Sequence, residues 1–205
     1  MVTNKPKNNA LEKLDIGQVA SLCCVSRERV NIWVEKRGLK PLTRGSRHIY
    51  CRDLVTFLMQ HNMPIPVSVL PVNAKKILFI FSSETLKSIY ATFLSHFFKK
   101  IKAEENFISD AVCYNRQAKY KILTFAPDLI LTYTVRAFDN TLKLIHFAKT
   151  TGECRILSIV EEKISLENRV QIKTAGADAV VERSIKINKL VEKMHFLLKQ
   201  GREGF

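Results

Sequence analysis

Arginine, arginine and asparagine fall at positions 27, 29 and 31, directly after Ser26 and interleaved with Val30, Trp33 and Val34. A guanidinium pairs bidentately with guanine edges or with phosphate, and a carboxamide pairs with adenine, so this run holds the donors that could read a DNA duplex. Lys40, Arg44, Arg47 and His48 follow in one short polar stretch and could hold a sugar–phosphate backbone. His48 stands among arginines without a carboxylate beside it, which suits packing or a phosphate contact better than base catalysis. Other chemistry is sparse. The five cysteines, Cys23, Cys24, Cys51, Cys113 and Cys154, form no Cys-x-x-Cys pair, and His48 with Cys51 lacks a second ligand pair at zinc spacing. No metal, cofactor or catalytic residue is expected, because no nucleophile comes with a paired base.

These residues need elements to position them. Asp15 can cap a short helix whose apolar positions are Ile16, Val19 and Ala20, with a tight turn near Val25. Ser26 caps the next, whose Val30, Trp33 and Val34 should face inward and leave Arg27, Arg29 and Asn31 outside. Gly38 is a helix stop. The run 39–50 has the composition of a hairpin, with Arg44-Gly45-Ser46-Arg47 as its turn and Ile49-Tyr50 returning, followed by an apolar helix through Leu54, Val55, Phe57 and Leu58.

VASLCCVSRERVNIWV, then RHIYCRDLVTFL, then HNMPIP resembles the excisionase-type DNA-binding domains related to the MerR group. The resemblance implies a winged helix-turn-helix over residues 13–62, with Ser26, Arg27, Arg29 and Asn31 opening a recognition helix and Lys40, Arg44, Arg47 and His48 on the wing. Two features depart from that pattern: Cys24 replaces the glycine of the turn, and the wing is short.

Residues 1–12 read as a loose polar tail, and 63–74, with Pro64, Pro66 and Pro71, as a semi-rigid linker. From Lys75 onward, short apolar runs at Ile77–Phe81, Asp110–Tyr114, Leu129–Thr134, Ile156–Val160 and Val180–Val181 alternate with helical stretches, the last of them Ile187–Lys199. That alternation predicts an α/β, doubly wound, parallel five-stranded sheet of the flavodoxin type over 75–199, with a tail at 200–205. Ala126-Pro127-Asp128-Leu129-Ile130-Leu131 and Ala175-Gly176-Ala177-Asp178-Ala179-Val180-Val181 resemble the third strand and the turn before the fifth in response-regulator receiver domains. The resemblance places an acidic, magnesium-holding pair where this chain has Ser82 and Ser83 after Phe81. It places the phosphate-accepting aspartate at Tyr133, the switch Ser/Thr near Val160 and the lysine near Arg183. A hydroxyl pair cannot replace two carboxylates around Mg²⁺, and tyrosine cannot form an acyl phosphate, so the expectation is a pseudo-receiver.

Charge sets the partner class. Thirty-three Lys and Arg against 19 Asp and Glu give +14, with eleven basic against five acidic residues in 1–74 and 22 against 14 beyond. Such a balance favours a polyanion, double-stranded DNA first. Unpaired cysteines and the lack of any apolar run of ~18 residues point to a cytoplasmic protein without a membrane span. The apolar stripe of the last helix, through Leu190, Met194 and Leu197, packs on the sheet and could extend into a homodimer or partner contact. The expected function is a sequence-specific transcription regulator. The alternatives are an excisionase-like architectural or recombination accessory factor, and a signalling adaptor whose receiver-like half binds a protein.

Overall fold

The computed structural model describes residues 12–43, 45–71, 73–81, 90–103, 107–114, 116–134, 138–160 and 164–200. The chain divides into two units, Met1–Ala74 and Lys75–Phe205.

In the first unit, strand β1 (Lys13–Asp15) runs directly into helix α1 (Ile16–Leu22). The transition is sharp because Asp15 and Gln18 cap each other: the Asp15 carboxylate accepts from the Gln18 amide at 2.8 Å, and the Gln18 side-chain oxygen accepts from the Asp15 amide at 2.8 Å. Helix α2 (Arg27–Lys36) begins at Ser26, whose hydroxyl accepts from the Arg29 amide at 3.3 Å. Gly38, at φ +84°, turns the chain away after it. Strand β2 (His48–Tyr50) and helix α3 (Cys51–Gln60) complete the unit's regular elements. Val19, Val30, Trp33, Leu39, Ile49, Leu54 and Leu58 are buried, and the Trp33 ring lies 5.3 Å from that of Phe57.

The expected hairpin takes another form. β2 pairs antiparallel with β1, Leu14 opposite Ile49, rather than with residues 39–43. To that segment it is tied through the Leu42 amide, which donates to the His48 carbonyl at 2.7 Å. Pro41 has no amide to offer a ladder, and Leu39 is buried as core. Arg44 lies outside the described residues. The proline stretch differs from a plain spacer too: a 3₁₀ turn, Val67–Val69, packs against α3 with Val69 buried.

The second unit alternates strictly. β3 (Lys75–Phe81), α4 (Tyr90–Ala103), β4 (Phe107–Cys113), α5 (Arg116–Phe125), β5 (Leu129–Thr134), α6 (Phe138–Thr151), β6 (Arg155–Val160), α7 (Leu166–Thr174), β7 (Ala179–Glu182) and α8 (Ile187–Gln200) follow in order. The strands form one parallel sheet in the order β4-β3-β5-β6-β7. Each central strand is apolar on both sides because helices cover both faces. One face carries Ile77, Phe79, Phe81, Leu129, Leu131, Tyr133, Leu157 and Ile159, in one cluster with Phe97 and Ile101 of α4 and Leu190, Val191, Met194 and Leu197 of α8. The other carries Leu78, Ile80, Ile130, Thr132, Ile156 and Ser158, the last two polar side chains joined by a buried 3.1 Å bond from Thr132 to Ser158.

That packing overturns the assignment of Leu190, Met194 and Leu197 to a dimer or partner contact. Leu190 and Met194 are 0 % exposed within a single chain, and Leu197 is 4 % exposed. The sheet consumes the stripe, and Phe196 is the large apolar residue that α8 leaves in solvent.

Two aspartates pin the strand starts. The Asp128 carboxylate, just before β5, accepts from the Lys76 amide at 2.7 Å and from Lys75 Nζ at 3.3 Å. Asp178, just before β7, accepts from the Ile156 amide at 2.7 Å, from Lys149 Nζ at 2.7 Å and from Arg155 at 2.9 Å. Burial works to raise the pKa of Asp178, but these donors more than offset it and hold the carboxyl below its usual range.

Candidate nucleic-acid interface and the strand-end site

α2 separates its residues cleanly. Val30 and Trp33 are buried, while Glu28, Arg29, Asn31, Ile32, Glu35 and Lys36 are exposed, so Arg29 and Asn31 stand in solvent on the two flanks of the buried stripe of a capped helix. The Glu28 carboxylate accepts from its own amide and from the Ser26 hydroxyl, and its pKa falls as a result. Trp33 is core, not a stacking platform.

Arg27 behaves differently from Arg29. Its guanidinium folds back over α1, close enough that a β-carbon on Gly17 would stand 3.0 Å from its Nη2. Gly17 is therefore the residue that leaves room for this pose. Lys40, Arg47 and His48 are all exposed. His48 pairs across the two-stranded sheet with Asp15, and its amide donates to the Ser46 hydroxyl at 3.1 Å.

At the other candidate site, the strand ends of the sheet, the positions on the central strands carry bulky buried side chains, Phe81, Tyr133 and Val160. Phe81 and Tyr133 face each other in register, with Ile159 next to Tyr133 on the far side. Tyr133 is 3 % exposed and Phe81 6 %. Ser82 and Ser83 lie outside the described residues. The Arg183 amide donates to the Val160 carbonyl at 2.8 Å, joining the two positions that the receiver pattern gives to its switch residue and its lysine. Among the described residues no group of three or more His, Cys, Asp or Glu side chains could hold a metal ion. A cleft of about 390 Å³ opens at the opposite, strand-start edge, between Lys75, Leu123, Pro127, Asp128, Arg155 and Leu198.

Two features escaped the sequence. Lys121 is buried on α5 and ion-paired with Asp110 of β4. Its signal was a lysine at a helix position in phase with Ala118, Ile122 and Phe125, but the partner strand could not be guessed. The second is a stripe on the outer side of α5, where Arg116, Lys119, Tyr120 and Leu123 recur at helical spacing. Tyr120 is 56 % and Leu123 57 % exposed, and Lys119 Nζ sits 5.0 Å from the Phe147 ring centre on α6.

Solved structures share the second unit's architecture. The Francisella response regulator 1452 receiver domain matches with a TM-score of 0.51 at 14% identity, over 62% of this chain and 99% of that one. A signal receiver domain from Vibrio parahaemolyticus has the same TM-score at 18% identity, over 64% of this chain and 99% of that one. A two-component response regulator from Clostridium difficile also gives 0.51, at 18% identity over 63% and 99%. At such identities the likeness concerns fold: the second unit is a receiver-type, flavodoxin-like α/β domain. No protein-family model and no curated protein matches the chain. Among the described residues no helix is long and apolar enough to cross a membrane.

Proposed function

We propose that this chain is a cytoplasmic, sequence-specific regulator of transcription that binds double-stranded DNA through a winged helix-turn-helix in its first unit. In this reading α2 is the recognition helix, Arg29 and Asn31 contact bases, and Lys40, Arg44, Arg47 and His48 contact the backbone. The observation that carries it is α2 itself, a Ser26-capped helix whose Val30 and Trp33 are core and whose Arg29 and Asn31 are exposed on the two flanks beside them. The +14 charge supports a polyanionic partner. Arg27, folded over Gly17, is assigned to bracing α1 against α2 rather than to base reading.

The second unit then acts without phosphotransfer, in dimerisation or in docking a protein or ligand. The fold supports this through what occupies the strand ends, because Tyr133 and Phe81 fill with buried rings the space that phosphate chemistry needs for oxygen ligands. Acetyl phosphate with Mg²⁺ should give no acyl-phosphate adduct and no change in sedimentation. An aspartyl phosphate found by mass spectrometry would refute that part.

Competitive binding of the full chain to a randomised duplex library at two salt concentrations tests the DNA reading. Asn31→Ala and Arg29→Ala should each relax sequence preference by about 1–3 kcal/mol, while Arg47→Ala should weaken all sequences alike and lower the salt slope by about one. Helix variants with unchanged preference and affinity would end the assignment. A second reading, a signalling adaptor, draws support from exposed Tyr120 and Leu123 beside Arg116 and Lys119 on α5. Genome-wide occupancy separates the possibilities: promoter peaks for a regulator, attachment sites for a recombination factor, none for an adaptor.

A further inference from the structure

We infer that Cys23 and Cys24 form a two-sulfur chelate for a thiophilic centre of the kind a trivalent arsenical presents. The site stands apart from the DNA reading of the first unit and does not depend on it. The two residues make the turn between α1 and α2, with Cys24 exposed and Cys23 half-buried. No other cysteine has a cysteine as its sequence neighbour.

Cys24 sits at φ +53°, in the left-handed region where a side chain with a β-carbon costs on the order of 1 kcal/mol and glycine costs nothing. The turn is nevertheless fastened. The Cys23 amide donates to the Val19 carbonyl at 3.0 Å, the Cys24 amide to Ser21 at 3.3 Å and the Val25 amide to Ala20 at 3.0 Å. Both sulfurs are thus carried on backbone already ordered, and a ligand that bridges them meets little further loss of chain entropy.

Three uses of adjacent thiols compete, and distances discriminate among them. A disulfide needs Cα atoms roughly 4.4–6.8 Å apart, whereas neighbours across a trans peptide stand about 3.8 Å apart, so direct oxidation strains the turn. A reactive thiolate is disfavoured as well: burial first, and the adjoining Cys24 second, push the Cys23 thiol up to about 11. The Cys24 sulfur lies 3.9 Å from the Ser21 carbonyl at the C-terminal end of α1, another poor place for an anion. Chelation avoids the short S–S bond, and forming two bonds to one centre offsets the proton loss that the raised Cys23 thiol makes harder. One atom bonded to both sulfurs, at about 2.3 Å each for a zinc-sized centre, replaces the direct S–S bond of about 2.05 Å and spans the pair without closing it so tightly. The exchange is redox-neutral. An arsonous acid, R–As(OH)₂, reacts with two Cys S–H groups to give R–As(S–Cys)₂ and two waters. Two As–O and two S–H bonds break, two As–S and two O–H bonds form, and arsenic remains trivalent.

The test uses the full chain and phenylarsine oxide, with intact-mass spectrometry, a free-thiol count and a glutathione challenge. One adduct per chain should form, consume two thiols, and resist glutathione about 100-fold better than the adduct of a variant holding a single thiol at the turn. Cys24→Gly is the informative variant, because the left-handed backbone accepts glycine and the fold is kept. Cys23→Ser should behave alike, and Cys51→Ser should retain the resistant adduct. Resistance that survives both Cys24→Gly and Cys23→Ser, or a wild-type adduct that glutathione removes as readily as theirs, would overturn the inference.

Discussion

Placing an aspartate at Tyr133, the position that the receiver resemblance gives to a phosphate acceptor, should damage the second unit. In Tyr133→Asp, a ring 3 % exposed between Phe81 and Ile159 is lost, at a cost of about 3 kcal/mol by comparison with other buried aromatic truncations. The new carboxyl also enters an apolar layer, which should raise its pKa from about 4 toward about 7 and cost about 4 kcal/mol more at pH 7. Together these approach the whole stability of an ordinary domain, about 5–15 kcal/mol. The sign of the pH effect follows. A carboxyl with a raised folded-state pKa destabilises above its unfolded value and ceases to do so once protonated, so lowering the pH from 7 to 5 should recover about 2 kcal/mol. Tyr133→Asn, similar in size but uncharged, should show no such recovery, and Tyr133→Phe should cost about 1 kcal/mol. Urea unfolding followed by far-ultraviolet circular dichroism reads the sheet, while fluorescence of Trp33, the single tryptophan, reports the first unit independently. A Tyr133→Asp protein with the wild-type midpoint that also takes phosphate from acetyl phosphate would refute the reasoning.

Other consequences can be measured in the same way. Asp110→Asn leaves Lys121, whose side chain is 7 % exposed, facing an amide and should cost about 2–4 kcal/mol; Lys121→Met leaves Asp110, at 22 %, within reach of water and should cost about 1–2 kcal/mol. The double variant should lie within about 1 kcal/mol of wild type, and strictly additive singles would show that the pair is not coupled. Asp178→Asn should cost about 2–3 kcal/mol at neutral pH. Because the Asp178 pKa is depressed, its contribution is present above the unfolded value near 4 and fades as pH falls through the folded one, so the difference from wild type should shrink in acid denaturation below pH of about 4. Cys24→Gly should leave the first unit as stable as wild type or raise it by about 1 kcal/mol, read from the Trp33 transition; a loss above that size would mean that the thiol itself holds the turn.

Legibility in the sequence followed the range of the interactions. Ile77–Phe81 and Leu129–Thr134 announce buried strands because helices on both faces impose an unbroken apolar run, and both form where the pattern places them. Phe107 and Ile108 precede the expected start of β4 because edge pairing with Lys75 and Lys76 is a matter of backbone, not of side-chain pattern. The strand Ile49-Tyr50 is readable, but its partner is not: Lys13–Asp15 contributes one buried side chain, Leu14, too little to register as periodicity. The terminal helix was legible as an element, yet Leu190, Met194 and Leu197 look the same in sequence whether a sheet or a second copy covers them. Arg27 and Arg29 are equally indistinguishable until Gly17 shows which of them folds back.

The pins at Asp128 and Asp178 bear on how such a sheet tolerates change. Each fixes the sliding register of adjoining strands from one end, through a side-chain carboxylate that accepts from the neighbouring strand's backbone amide. Strands held there cannot slip by a residue and exchange their two faces when the opposite ends are rewritten. The architecture is therefore anchored at the strand-start edge, and the side chains at the opposite ends are free to change without shifting the sheet.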